Sequence, residues 1–118
     1  MKHHDSKRKF GREKNQYNAL MKSLARSLVK YESIVTTEAK AKELRPYVEE
    51  LVTKARKNDL AARRMISSKL GNDSETAKKL VEVIAPQYSE RAGGYTRIIK
   101  LPIRIRDAAK MAQISFVK

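Results

Sequence analysis

The chain has 118 residues, enough for one domain, and sets 27 Lys and Arg against 13 Asp and Glu for a formal net charge of +14. With no cysteine it can build neither a disulfide framework nor a thiolate metal site. No apolar run approaches the roughly 18 residues that a membrane-spanning helix needs.

The positive excess is concentrated. Residues 1–14 hold six bases and two acids, and residues 91–110 hold six bases and one acid. Residues 15–90, by contrast, mix fourteen bases with ten acids. The middle therefore reads as an ordinary helical surface and the two flanks as contact surfaces for nucleic acid or another polyanion. Residues 1–14 show no apolar periodicity, and their like charges repel, which predicts an arm that orders on its partner. Residues 15–118 are expected to form a single globular domain.

The first predicted helix runs from about Asn15 to Tyr31. Tyr17, Leu20, Met21, Leu24, Ala25, Leu28 and Tyr31 form one apolar stripe of helical period, while Lys22, Arg26 and Lys30 make a basic ridge on another face. Ser33–Thr37 is a β-branched run and a predicted strand. Thr37 is placed to cap the next helix, with Glu38 favourable at its positive end. Ala41, Leu44, Val48, Leu51, Val52 and Ala55 keep one register straight through Pro46, so a single kinked helix is expected. The adjacent Glu49 and Glu50 point about 100° apart on a helix, too divergent for an acid–base pair, and read as surface solubilisers.

Asp59 should cap a third helix, with Ala62, Met65, Ile66 and Leu70 inward and Gly71 as its stop. Ser74 should cap a fourth, with Ala77, Leu80, Val81, Ile84 and Ala85 inward and Pro86 as its end. A hairpin follows, with strands Tyr95–Leu101 and Ala112–Lys118 and a basic connection over 104–110. The order α-β-α-α-α-β-β predicts an α+β fold of two layers, a small mixed sheet with helices on one face, and a basic N-terminal extension.

Catalytic chemistry finds no foothold. The two histidines, His3 and His4, lie in the arm without a third ligand at metal-binding spacing. No phosphate-cradling Gly-x-x-x-x-Gly-Lys loop exists. No cofactor, metal or small-molecule substrate is expected. The most informative stretch is Arg91-Ala-Gly-Gly-Tyr-Thr-Arg97, where two glycines open a turn before a β-branched strand with bases at 91, 97, 100, 104 and 106. Guanidinium forks suit phosphate oxygens, and Tyr95 is the best placed aromatic to stack on an unpaired base, with Tyr17 and Tyr31 assigned to the core. An alternative is a DNA-binding regulator using helices 59–70 and 74–85 as a helix-turn-helix, though Lys78 and Lys79 are the second helix's only bases.

Four motifs in matching order resemble those of the family of bacterial large-subunit ribosomal protein seventeen. They are Met1-Lys-His3, Lys9-Phe-Gly-Arg12, Ile34-Val-Thr-Thr37 running into Lys40-Ala-Lys-Glu-Leu-Arg45, and the 91–97 turn. The chain departs from the family pattern at Phe10, at Arg106-Asp107 and at Lys110-Met-Ala112. The resemblance covers essentially the whole chain. It implies a structural, non-catalytic cytoplasmic protein of the large ribosomal subunit, bound to rRNA and to neighbouring ribosomal proteins. Carried over by position, it implies that Lys2, His3, Lys7, Arg8, Lys9 and Arg12, with Lys14 at the arm's end, meet rRNA. Arg91, Gly93, Gly94, Tyr95, Arg97 and Lys100 form a second contact region, which the basic hairpin extends to Arg104. Thr36, Thr37, Lys40 and Lys42 are further candidates.

Overall fold

A computed structural model describes residues 13–118, so the arm residues 1–12 lie outside the described region. The elements are α1 (Lys14–Tyr31), β1 (Ser33–Thr37), α2 (Glu38–Ala55), α3 (Leu60–Lys69), α4 (Ser74–Lys79), β2 (Thr96–Leu101) and β3 (Met111–Phe116). This is the predicted α-β-α-α-α-β-β order. The sheet, however, is antiparallel throughout rather than mixed, in the order β1-β3-β2. The last strand takes the centre, with Ile114 between Ile34 and Ile98.

That position follows from the side chains of β3. Ala112, Ile114 and Phe116 alternate inward and are buried, whereas Met111, Gln113 and Ser115 point to the other face. Helix α2 lies against the inward face and contacts all three strands. Ala41, Leu44, Val48, Leu51, Val52 and Ala55 are all buried, and the helix is unbroken through Pro46, as the shared register required. Tyr47 ties α2 to α3 by donating its hydroxyl to the Lys69 carbonyl at 2.7 Å. Burial pushes that phenol's pKa up to about 12, with Glu50 adding to the rise.

Caps set the helix boundaries. The Thr37 hydroxyl accepts the Lys40 N–H at 3.3 Å, and the Asp59 carboxylate accepts the Ala62 N–H at 2.7 Å. Helix α3 stops before Gly71, whose φ of +72° is left-handed, and the Arg26 guanidinium of α1 comes within 2.9 Å of where a β-carbon would be.

The start of α4 differs from expectation. Asp73, not Ser74, is its cap and accepts the Thr76 N–H at 3.2 Å. Its end differs too. After Lys79 the chain widens into a π-turn, Leu80–Ile84, and then tightens into a 3-10 turn, Ala85–Tyr88. Proline lacks the N–H that an α-helix would demand at position 86. Pro86 is tolerated because it falls in the first turn of the 3-10 segment, where that donor has no partner to lose. Leu80, Val81, Ile84 and Ala85 stay buried through this change of pitch.

The two candidate caps can be separated experimentally. Asp73→Ala should lower the thermal midpoint, while Ser74→Ala should leave it unchanged. The Thr76 backbone and side chain, with Arg26 adding its charge, hold the Asp73 carboxyl below its ordinary value of 3.8. A depressed pKa means the stabilisation is complete above that value and is lost as pH falls through the folded pKa. The gap between wild type and Asp73→Ala should therefore close below about pH 4.

Candidate nucleic-acid interface

Residues 89–97 lead from the 3-10 turn into β2, and one edge of α2 holds them in place. Arg45, Glu49, Thr53 and Arg56 recur at helical spacing, and each bonds to this segment. Glu49 accepts the Thr96 N–H at 3.2 Å and the Thr96 hydroxyl at 2.9 Å. Arg45 donates to the Thr96 carbonyl at 3.2 Å and pairs with Glu49 at 3.5 Å. The Thr53 and Tyr95 hydroxyls share a hydrogen bond of 3.2 Å. Arg56 ends the helix and donates to the Tyr95 hydroxyl (2.9 Å), the Ser89 carbonyl (3.0 Å) and the Arg91 carbonyl. One planar fork thus spans three acceptors, which a lysine could not reproduce.

This network corrects two readings of the sequence. Glu49 is no surface solubiliser, although Glu50, exposed and 3.9 Å from Lys54, is one. Tyr95 is wholly buried and presents no face to a base. Its ring meets that of Tyr88 at 5.1 Å, and its hydroxyl donates to the Arg91 carbonyl at 3.2 Å. The Tyr88 hydroxyl in turn donates to the Val117 carbonyl, while the Val117 N–H donates to the Tyr95 carbonyl at 2.8 Å. Tyr31, assigned to the core by its helical register, is instead 63% exposed. Tyr95 thus shapes the turn, and the aromatic ring available at the surface lies elsewhere.

Arg91, Gly93, Gly94 and Arg97 are all exposed at this end of β2. Gly94 needs its freedom, with φ of +67°, yet a β-carbon at either glycine would meet nothing within 4 Å. The close approach expected of these glycines is therefore not to the chain's own atoms. At the far end of β2, about 17 Å away at strand rise, Glu38 gathers a second group. It lies 3.5 Å from Lys42 and 3.9 Å from Lys100, and its N–H donates to the Lys110 carbonyl at 2.8 Å. Thr37 adjoins it as the cap of α2, Lys40 sits in the helix's first turn, and Thr36 pairs with Ala112 beside Lys100.

Arg104 is engaged within the chain. Both arms of its fork meet Asp107 at 2.9 Å, which raises the pKa of the guanidinium and holds the carboxyl below the usual range. The turn closes through Arg104 N–H to the Ala109 carbonyl (2.9 Å) and Ala108 N–H to the Arg104 carbonyl (2.8 Å). A phosphate at Arg104 would compete with Asp107. Arg106, beside it, has no acidic partner among the described residues. Lys14, the first residue of α1, is exposed, while Lys2, His3, Lys7, Arg8, Lys9 and Arg12 lie outside the described residues.

The helix-turn-helix alternative gains no support. Helix α4 is one and a half turns long, and Lys79 is committed to Glu32 at 3.3 Å and to the Lys30 carbonyl at 2.8 Å. Among the described residues no three His, Cys, Asp or Glu gather to hold a metal, and no helix is long and apolar enough to cross a membrane.

The class so defined is a small basic α+β protein whose sheet presents cations at both ends. The family model described as Ribosomal protein L17 matches residues 20–117, and the chain belongs to that family. It is 51% identical to the large ribosomal subunit protein bL17 of Campylobacter concisus, covering 99% of this chain and 98% of that one. It is 50% identical to the bL17 of a Hydrogenobaculum species over the full length of both. With the bL17 of Sphingopyxis alaskensis it shares 50% identity over 99% of this chain and 84% of the other.

If Arg56 sets the shape of the 89–95 turn, Arg56→Lys should loosen it at constant charge. Amide exchange at Arg91, whose N–H donates to the Tyr88 carbonyl at 2.9 Å, should quicken in the variant. Exchange in the core of α1 should not. Unchanged protection at Arg91 would remove Arg56 from that role.

Proposed function

We propose that this chain binds large-subunit rRNA through two surfaces of different kinds. One is the basic arm, residues 1–14, and the other is the cationic sheet of the globular unit, residues 15–118. As a member of its family the protein is not an enzyme but a structural constituent of the large ribosomal subunit in the bacterial cytoplasm. It serves translation there, with rRNA and neighbouring ribosomal proteins as its partners.

One observation carries the reading of the sheet. Arg91 and Arg97 flank a turn that α2 holds in shape, both are exposed, and neither has an acidic partner among the described residues. Such cations release condensed counterions when they meet phosphate, so affinity should fall steeply with salt. Gly93 and Gly94 between them leave room for a sugar-phosphate backbone to come close. For the arm, the support is its six bases in fourteen residues and the resemblance of its motifs.

Deleting residues 1–14 should weaken binding to protein-free large-subunit rRNA. It should also flatten the slope of log K against log salt by about 4 to 5, if all six bases meet phosphate. The helical circular dichroism of the remainder should persist. An unchanged slope would exclude the arm from the interface.

The glycines offer a charge-neutral test. Gly93→Val, at an open position, should leave the melting temperature unchanged and reduce rRNA affinity by obstruction alone, with the salt slope preserved. Gly94→Val should add backbone strain of about 1–2 kcal/mol. Wild-type affinity in Gly93→Val would show that no backbone approaches the turn.

A further inference from the structure

A shallow groove lies beside the C-terminal end of α1, lined among others by Tyr31, Ser33, Arg97, Gln113, Ser115 and Lys118. We propose that it takes one unpaired nucleotide of large-subunit rRNA, the base stacked on Tyr31 and the phosphate held by Arg97 and Lys118. The inference rests on the rRNA-binding reading above and gives it a specific subsite.

Three observations converge. First, Tyr31 is an aromatic ring with 63% of its surface in water, and among the described residues it is the one exposed large apolar side chain with a π-face. Helix α1 ends directly after it, because Glu32 turns left-handed with φ of +63°. The helix therefore stops before another element packs on the ring, and the Lys30 ammonium lies over one of its faces. Second, the charge in and around the groove is positive. Arg97 and Lys118 line it without an acidic partner among the described residues, and the Lys30 ammonium lies 5.3 Å from the Tyr31 ring centroid. The one acidic side chain in the lining, Glu32, is already committed to Lys79 at 3.3 Å. Third, the floor carries hydrogen-bonding groups. Gln113 donates to the Ser33 hydroxyl at 2.6 Å, which fixes its amide and leaves the amide oxygen to accept from a base edge.

An exposed ring, cations for a phosphate and a fixed amide match the chemistry of a splayed nucleotide. A base inside a helix has both faces occupied by its neighbours, so the nucleotide must be unpaired or at a bulge or end. A protein segment would need acidic groups to answer Arg97 and Lys118, and the rRNA backbone supplies that charge at every residue.

The chain contains no tryptophan, so Tyr31→Trp provides a single fluorescent reporter at the ring position. The full-length variant is titrated with protein-free large-subunit rRNA at low salt. Emission should be quenched as the complex forms, with affinity at least that of wild type. Tyr31→Phe should bind as wild type does, whereas Tyr31→Ala should lose about tenfold in affinity with the salt slope unchanged. Arg97→Gln should instead flatten the slope by about 1.

Constant tryptophan emission at saturation, or wild-type affinity in Tyr31→Ala, would overturn the proposal while leaving rRNA binding intact. Emission that changes only when other ribosomal proteins are added would identify a protein occupant and overturn it as well. Failure of the wild-type chain itself to prefer this rRNA over a duplex DNA competitor would instead strike the reading on which the inference rests.

Discussion

Self-repulsion is the constraint around which this chain is arranged. Fourteen excess positive charges must be carried by a protein that also closes a core, and only thirteen acids are available to help. Those acids are spent mainly on architecture. Glu49 anchors Thr96 and Arg45, Glu38 gathers Lys42 and Lys100, Glu32 holds Lys79, and Glu82 lies 3.6 Å from Arg63. Asp59 and Asp73 cap helices, and Asp107 clamps a turn. Exposed ion pairs of this kind add little stability singly, but together they decide where positive charge is left unanswered. One such place is the β2–β3 side of the molecule, where Arg91, Arg97, Arg106 and Lys118 face water.

Helix α2 connects this charge distribution to the core. Its apolar face packs Leu44, Val48, Leu51 and Val52 against the sheet, and its adjoining edge grips the 89–96 segment through Arg45, Glu49, Thr53 and Arg56. The two roles are coupled, because the same helix that closes the core also fixes the turn between Arg91 and Arg97. A loosened core would blur the spacing of those cations. The turn's backbone is therefore held by the fold, so that much of the shape a partner would meet is already formed.

Much of this was legible in the residues. The helical register through Pro46 foretold one continuous α2, and all six of its apolar positions are buried. The alternation of Ala112, Ile114 and Phe116 foretold the inner face of β3. What escaped is contact between elements distant in sequence. The hairpin put β2 beside β3, as they are, but periodicity does not say which strand β1 joins, so its antiparallel place on the other side of β3 was not readable. The polar edge at 45, 49, 53 and 56 went unread, because its partners lie 33 to 51 residues away. Pro86 looked like a stop because an α-helix cannot continue there, and the chain answered by changing helix type instead.

The exchange of roles between Tyr95 and Tyr31 shows why a period alone misplaces aromatics near element ends. Tyr31 sits four turns along the apolar stripe of α1, in phase with Leu28 and Leu24, yet it is the last helical residue. A stripe is buried only where something packs on it, and the chain turns away at Glu32 before anything does. Tyr95 precedes β2, so the alternation of the strand does not govern it. Tyr95 and Thr96 are consecutive, and both are buried because α2 binds each through a different side chain. The surface ring is thus created by where a helix ends, and the buried ring by what a distant helix holds. Both facts act on the same sheet end, where Tyr95 braces the turn that leads into Arg97 and Tyr31 borders the groove that Arg97 lines.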